Sequence, residues 1–309
     1  MLKQVVDRLT SVPIVGVDLG SAVVKVVELA RANGQLSLRR CAVAPVEGRE
    51  PTSLLRQLLT EAGITTTHAV LGLAAPEVVV KPFGFPSMPR KELRNAIQLE
   101  AEQAILNGHA ASDMAIDWHT LSSSAKDSIR GLLAVVPKNL LVTRMGIVRA
   151  VGLRTAIVDV EGLALWNAYW NLVGVQEPQR KTVFLINIGA RTTNLVIATG
   201  PDALILVRDI QLGGHALASG QSQDWVGEIR DSLGYARAKT GLRTLDAVYV
   251  TGGGSGPTLI PLLKSAVSVP LTFWNPLGQL VRDPHGPSIE EPVGPLLAIA
   301  IGLALRQPT

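Results

Sequence analysis

The chain has 309 residues and a mass of 32.8 kDa, which suggests about two domains of roughly 150 residues each. Hydrophobic residues make up 47% and charged residues 17%, which excludes disorder for most of the chain. The net charge of +4 arises in the middle third, because residues 81–154 hold 10 basic and 6 acidic side chains. The basic residues form no dense stripe with interleaved aromatics, so we expect no nucleic-acid partner.

Neither an export signal nor a membrane span is predicted. No apolar run approaches the roughly 20 residues that cross a bilayer, and the N-terminus has no apolar signal core. The longest apolar stretch, Val293–Leu305, contains two glycines and a proline and is predicted to be a buried helix. A single cysteine, Cys41, excludes an intrachain disulfide. We therefore expect a cytoplasmic protein.

The first predicted element is a β-hairpin at residues 14–27. Its apolar first strand ends at Asp18, turns on Gly20 and Ser21, and continues into a second strand that contains Lys25. Backbone N–H groups at such a turn can form an anion-binding nest, and a strand-end carboxylate suits hydrated Mg²⁺. The alternative is a tight turn that needs the glycine, with Lys25 as a solvated strand lysine.

Helices and strands alternate through the next 150 residues. Residues Phe83–Pro89 are predicted to be irregular because two prolines interrupt them. The periodicity predicts the helices Thr52–Ala62, Arg90–Leu106, Asn139–Val151 and Val160–Val173, and the strands His68–Leu73, Val78–Val80, Met114–Ser122, Ile129–Val136 and Arg154–Val158. At the start of the fourth helix, Asp159 is the predicted N-cap, and Glu161 suits the first turn through the helix dipole.

A second hairpin, at residues 183–196, repeats the first at an offset of 169 residues. Asn187 corresponds to Asp18, Gly189 to Gly20, and Asn194 to Lys25. This repetition predicts duplicated α/β domains that face each other. The remaining predicted elements are the strands Leu204–Gln211 and Ala247–Thr251, the helices Ser222–Lys239 and Leu259–Val267, and a proline-rich surface loop at 275–292.

Three segments, in this order, resemble the actin-like ATPase superfamily. Residues 18–25 resemble its first phosphate loop, residues 187–193 its second, and residues 250–255 its adenosine-binding turn. The resemblance implies that the protein binds ATP with Mg²⁺ and that Asp18 holds the metal through water. It also implies a role for Glu161 in orienting the attacking water. It implies these cofactor-binding residues: Asp18, Gly20, Ser21, Lys25, Asn187, Gly189, Arg191, Thr192, Gly252, Gly253 and Gly254.

Within that superfamily the chain resembles the PilM family of type IV pilus assembly proteins. The resemblance is carried by Asp18–Leu29, Phe85–Gln103, Val158–Leu165 and Arg208–Gly214. It implies an α/β, actin-like (duplicated ribonuclease-H-like) two-lobe fold with an inserted FtsA-like 1C subdomain and a truncated 2B lid. The implied division is 1–76 for subdomain 1A, 77–152 for 1C, 153–174 for a return to 1A, 175–292 for the second lobe with a reduced 2B near 214–240, and 293–309 for a closing helix on 1A.

Two departures from the superfamily pattern predict that hydrolysis is negligible, while ATP binding is left open. Asn187 stands where an aspartate is usual, which weakens metal coordination. Only 33 positions separate Gly213 from Asp246, so the segment that closes over adenine is shortened. The alternatives to a non-enzymatic adaptor are a weak ATPase, a sugar or acetate kinase of the superfamily, and a filament-forming membrane tether. The short ending at Arg306–Thr309 argues against the tether's amphipathic helix.

The resemblance also implies a partner, the cytoplasmic N-terminal tail of a PilN-like bitopic inner-membrane protein. The tail would bind between residues 1–80 and 81–152, which places the protein at the periphery of the inner membrane, among other pilus assembly proteins. The implied contact residues are Phe83, Phe85, Met88, Arg90, Lys91 and Arg94. The alternative is that the aromatic rings only seal the subdomain junction.

Overall fold

The structure is a computed structural model that describes residues 13–32, 35–105, 110–121, 127–176, 181–200, 203–282 and 291–306. Its fourteen described strands form three sheets. In chain order they are β1 (Ile14–Leu19), β2 (Val23–Ala32), β3 (Gln35–Pro45), β4 (His68–Leu73), β5 (Val79–Pro86), β6 (Met114–Leu121), β7 (Ser128–Pro137), β8 (Arg154–Val160), β9 (Thr182–Ile188), β10 (Thr193–Thr199), β11 (Leu204–Ile210), β12 (Ala247–Thr251), β13 (Leu271–Phe273) and β14 (Val281–Arg282).

Eight α-helices lie within the described ranges and connect these strands. They are α1 (Pro51–Glu61), α2 (Arg90–Ala104), α3 (Lys138–Ala150), α4 (Glu161–Leu172), α5 (Gly214–Ala218), α6 (Ser222–Thr240), α7 (Ile260–Ala266) and α8 (Ala298–Ala304). None of these helices is long and apolar enough to cross a membrane.

The first lobe has the sheet order β14-β3-β2-β1-β4-β8, and the second has β11-β10-β9-β12-β13. The strands β1 and β9 are buried along their whole length, as continuous apolar strands in the middle of a sheet should be. Each starts an antiparallel hairpin, and the registers are equivalent: Asp18 pairs with Lys25, and Asn187 with Asn194. The duplication predicted from the 169-residue offset is confirmed.

Two helices, α4 and α8, join the lobes. Together with buried residues from both larger sheets they form one hydrophobic core. On α4, Tyr169 packs against Tyr249 and Trp274 of the second lobe, with ring centroids 4.9 and 5.9 Å apart. The short α8 packs closely on both sides, because a side chain at Gly16 would overlap the carbonyl oxygen of Ala300, and one at Gly302 that of Ala164.

The third sheet, with order β5-β7-β6, is the inserted subdomain, and α2 packs against it. Here one prediction is wrong, because β5 continues through Pro82 to Pro86 instead of becoming irregular at Phe83. The strand lies at the sheet edge and pairs only with β7 among the described strands. An edge strand tolerates proline because the missing N–H can fall on the unpaired side.

The helix α3 follows the insertion in sequence but packs with the first lobe. Its Val148 lies in the hydrophobic core that β1, β2, β4 and α1 form. The predicted end of the inserted subdomain at residue 152 stays a prediction, but this packing favours an end near Pro137. The predicted extent of the second lobe to residue 292 also stays a prediction, and the pairing of β14 with β3 of the first lobe favours an earlier end.

Three other predictions are corrected at helix ends and in loops. Asp159 is not the N-cap of α4, because Val160 occupies that position and the Asp159 carboxylate binds the guanidinium of Arg306 at 2.6 and 3.1 Å. The closing helix is shorter than Val293–Leu305, because residues Glu291–Leu297, which include Pro295, form a 3₁₀ turn before α8. The predicted loop at 275–292 contains a 3₁₀ turn, Pro276–Gln279, and β14, while residues 283–290 lie outside the described ranges.

Candidate functional site

A cleft of about 900 Å³ lies between the two lobes. Both hairpin turns, the turn after β12 and the start of α4 contribute to its walls. All eleven residues predicted to bind a cofactor line the cleft, and so does Glu161. The fold therefore brings together segments that are up to 236 positions apart in sequence, although the binding of a nucleotide stays a prediction.

The first hairpin places an ion pair in the cleft. Lys25 Nζ donates a hydrogen bond to Asp18 Oδ2 at 2.8 Å. The two residues face each other across β1 and β2, and their side chains are only 14% and 4% exposed. Lys25 is therefore not the solvated strand lysine considered as an alternative, and its charge is neutralised inside the protein.

The second hairpin places two amides where the first has the ion pair. Asn187 Nδ2 donates to Asn194 Oδ1 at 2.6 Å. Asn194 Nδ2 in turn donates to Asp209 Oδ1 at 2.8 Å and to Glu161 Oε2 at 3.4 Å. The two halves of the cleft thus have the same geometry, but the second half carries a neutral pair.

Glycines allow the backbone segments around the cleft to approach closely. A side chain at Gly20 would lie 2.6 Å from the Val23 carbonyl oxygen and 2.9 Å from Lys25 Nζ. Gly252 adopts a φ of 95°, a left-handed conformation that favours glycine. A phosphate chain needs such bare backbone turns, so these residues fit the nucleotide that the resemblance implies.

The metal part of that prediction has less support. One Asp18 oxygen already accepts the bond from Lys25, and Asn187 supplies a neutral amide. Within the described ranges, no group of three or more His, Cys, Asp and Glu residues could hold a metal ion. A carboxylate with a few waters is enough for Mg²⁺ when the substrate's phosphates complete its coordination shell, so Asp18 remains the residue that would hold it.

Two buried carboxyl groups next to Asn194 have raised pKa values. The pKa of Glu161 is raised from 4.5 to about 8, chiefly by burial and then by the nearby charges of Asp18 and Asp209, against the opposing effects of Lys25 and the Asn194 hydrogen bond. Burial also raises the pKa of Asp209 to about 6, although its hydrogen bond from Asn194 acts in the other direction. Asp209 Oδ2 is buried and has no hydrogen-bond partner among the described residues. With a pKa of about 8, the Glu161 carboxyl group is mostly protonated at neutral pH.

These raised pKa values predict that the fold loses stability as the pH rises. A carboxyl whose folded pKa exceeds its unfolded pKa binds more protons in the folded state, so its stabilising effect is complete below about pH 4.5 and is lost as the pH rises through 8. Each such group lowers the free energy of unfolding by up to about 1.4 kcal/mol per pH unit. Urea unfolding between pH 5 and 8.5 should show this slope, and Glu161→Gln should flatten it. Equal slopes for the two proteins would contradict the raised pKa of Glu161.

The predicted partner-binding residues lie in the inserted subdomain, away from the cleft. Phe83 is buried in the subdomain's own core, and Phe85 and Met88 pack against that core. The two phenylalanine rings stack with centroids 5.4 Å apart. Binding of a partner at these positions stays a prediction, and the packing gives Phe83 a structural role inside the subdomain.

Two of the predicted basic residues line a second cavity. Arg90 and Arg94 border a space of about 490 Å³ between α2 and β6. The Arg94 guanidinium lies 5.9 Å from the centroid of the Trp118 ring. Lys91 is exposed on the same helix. This cavity is lined only by residues of the inserted subdomain, so it is separate from any groove shared with the first lobe.

No sequence pattern directly marks two charged groups near this site: Asp209, which accepts a hydrogen bond from the cleft residue Asn194, and Arg144, which lines the cleft itself. Asp209 faces Asn194 across β10 and β11. The only sequence signal for this position is indirect: Asn194 corresponds to Lys25 in the repeat, and Asp209 is its neighbour on the next strand. Arg144, on α3, lines the cleft and donates from Nη1 to the carbonyl oxygen of Leu19 at 2.8 Å. No motif marks Arg144, because 125 positions separate it from Leu19.

Comparison with known proteins gives a consistent result. The family profile described as "Type IV pilus assembly protein PilM" matches residues 16–225. A solved "PilM-PilN type IV pilus biogenesis complex" is similar, with 24% identity, a TM-score of 0.81, and coverage of 96% of this chain and 98% of that chain.

Two more distant solved structures share the fold. A protein of Bacteroides thetaiotaomicron, described as having an actin-like ATPase fold and unknown function, has 9% identity, a TM-score of 0.51, and coverage of 85% and 91%. The ethanolamine utilization protein EutJ from Carboxydothermus hydrogenoformans has 14% identity, a TM-score of 0.50, and coverage of 96% and 90%. These likenesses confirm the actin-like fold.

Proposed function

This chain belongs to the PilM family of type IV pilus assembly proteins, and we propose that it is an adaptor that binds the cytoplasmic tail of a PilN-like inner-membrane protein. The observation that carries the proposal is the family match over residues 16–225, which includes most of the first hairpin, the whole inserted subdomain and the second hairpin. The likeness to a solved PilM–PilN complex supports a PilN-like partner. Such binding would hold the protein at the inner membrane.

The helix α3 offers an apolar surface where the inserted subdomain joins the first lobe. Only Val148 is fully buried among its thirteen residues. Val142 is 72% exposed and Met145 40% exposed, and they lie three positions apart on the helix. An exposed apolar pair beside the predicted groove suits the apolar anchors of a short tail. We therefore add Val142 and Met145 to the predicted contacts, which include Phe85, Met88 and the basic residues of α2.

We expect the double variant Val142→Ser/Met145→Ser to weaken tail binding by about 2 kcal/mol or more, or roughly 30-fold, because the loss of apolar anchors has this effect at interfaces. The measurement is a calorimetric titration of the partner's tail peptide. Leu99→Ser is the matched control, since Leu99 is 61% exposed on α2 and should leave binding unchanged. If the double variant bound the tail peptide with wild-type affinity, α3 would not be part of the interface. If the wild-type protein bound no tail peptide, the proposed adaptor function would be refuted.

We also propose that the cleft binds ATP with Mg²⁺ weakly and hydrolyses it very slowly. The bare turns at Gly20 and Gly189 would receive the phosphates, and Asp18 would hold the metal, which supplies charge neutralisation to the phosphates. The likeness to a protein described as having an actin-like ATPase fold supports the binding of a nucleotide. A carboxyl group that is protonated at neutral pH accepts no proton from water, so the raised pKa of Glu161 opposes its action as a base.

We expect steady-state ATP turnover well below about 1 per second, the lower end of the usual enzyme range. Asn187→Asp alone should not restore full activity, because between β11 and β12 only α5 and α6 are available to cover an adenine. The measurement is phosphate release at saturating Mg-ATP. A turnover of about 1 per second or faster in the wild type would contradict the proposal, and rapid turnover in Asn187→Asp would show that the shortened segment is not limiting.

A further inference from the structure

We propose that Arg144 is a phosphate-binding residue of the cleft, an inference that rests on the proposed nucleotide site. The helix α3 carries its guanidinium to the first hairpin turn, where Nη1 donates to the carbonyl oxygen of Leu19 at 2.8 Å. Leu19 lies within the predicted phosphate loop, residues 18–25, directly before the turn at Gly20. The side chain is half-buried and lines the cleft.

The charges around the cleft single out Arg144. Four basic side chains line the cleft: Lys25, Arg144, Arg191 and His215. Lys25 is neutralised by Asp18, while Arg191 and His215 are exposed to solvent. Among the residues that the structure describes, Arg144 is the one partly buried cation of the cleft without a carboxylate partner. A polyphosphate carries several negative charges and binds best to cations that are free to pair with it. A half-buried cation attracts it more strongly than an exposed one, because solvent and salt screen the interaction less.

The geometry of the guanidinium suits this role. Arginine has five N–H donors in a planar fork, and one of them is used by Leu19. The other donors have no acceptor among the described residues, so they can bind two oxygens of one phosphoryl group. The bond to Leu19 holds the side chain in place before the ligand binds, which lowers the entropy lost on binding. The ligand class is the phosphoryl group of a nucleoside di- or triphosphate.

The test is calorimetric titration of Mg-ATP and of Mg-pyrophosphate into wild type, Arg144→Gln, Arg144→Lys and Arg149→Gln. Arg149 is the matched control, because it is exposed on the same helix and does not line the cleft. We expect Arg144→Gln to weaken binding of both ligands by about 10- to 100-fold, as the loss of a charge-assisted hydrogen bond does. Arg144→Lys, which keeps the charge but not the fork, should lose less, and Arg149→Gln should bind as wild type does. The salt dependence of binding should also be shallower in Arg144→Gln.

Unchanged Mg-ATP affinity in Arg144→Gln, with wild type binding normally, would overturn the role of Arg144 and leave the nucleotide site standing. If wild type bound neither ligand, the nucleotide site itself would fail, and Arg144 with it. Thermal melting of each variant checks the fold. Should Arg144→Gln be unfolded, Arg144→Lys decides the question, because wild-type affinity for Mg-ATP in that variant would show that the fork is not used.

Discussion

Lys25→Met should lower the free energy of unfolding by about 3–5 kcal/mol, the usual effect of removing one partner of a buried ion pair. Asp18 is almost completely buried, and Lys25 lies 2.8 Å from its carboxylate. Without the ammonium group, the Asp18 charge would stay buried beside Glu161. Lys25 also lowers the pKa of Glu161, and this effect would be lost as well. Methionine has a similar shape, so the lost stability reflects the missing charge. Urea unfolding at pH 7 measures it.

The double variant Asp18→Asn/Lys25→Met separates this electrostatic cause from lost packing. Because it removes both charges, it should recover most of the lost stability. Lys264→Met, a substitution of an exposed lysine on α7, should change stability by less than about 0.5 kcal/mol. If the double variant were as unstable as Lys25→Met alone, the loss would come from packing, and the unpaired Asp18 charge would not be its cause.

A second large effect is expected for Gly302→Ala, which should destabilise the protein by about 3 kcal/mol. A Cβ at this position would overlap the carbonyl oxygen of Ala164 in α4. That backbone cannot move away easily, because α8 also packs against β1, where Gly16 permits the contact. Asn167 Nδ2 donates to the carbonyl oxygen of Gly302 at 2.7 Å and fixes the two helices further. The substitution would therefore separate the helices that join the lobes.

The matched control is Gly234→Ala, in the middle of α6. A Cβ there would meet no atom within 4 Å, and the residue is exposed. Alanine in an exposed helix should stabilise the fold by about 0.5–1 kcal/mol. Denaturant unfolding of both variants gives the comparison. Equal, small changes in the two proteins would mean that α4 and α8 tolerate a wider separation than the close backbone contact suggests.

The sequence by itself determined the duplicated hairpins and the glycine turns. A hairpin is a local structure, so the apolar strand that ends at Asp18, the Gly20 turn and the second strand suffice to place Lys25 opposite Asp18. The same pattern at an offset of 169 residues places Asn194 opposite Asn187. The eleven residues predicted to bind a cofactor came from the resemblance of three such strand-end segments to the actin-like ATPase superfamily, and all eleven line the cleft.

Only the tertiary structure decided the features that depend on distant contacts. The path of β5 through Pro82 and Pro86 depends on its place at the sheet edge, which local sequence does not show. The assignment of Arg144 to the cleft depends on α3 packing against the first lobe, and the role of Asp159 depends on Arg306, 147 positions away. Likewise, the raised pKa of Glu161 results from burial between the lobes. Each of these features arises only when distant segments pack together, so no local sequence pattern predicts it.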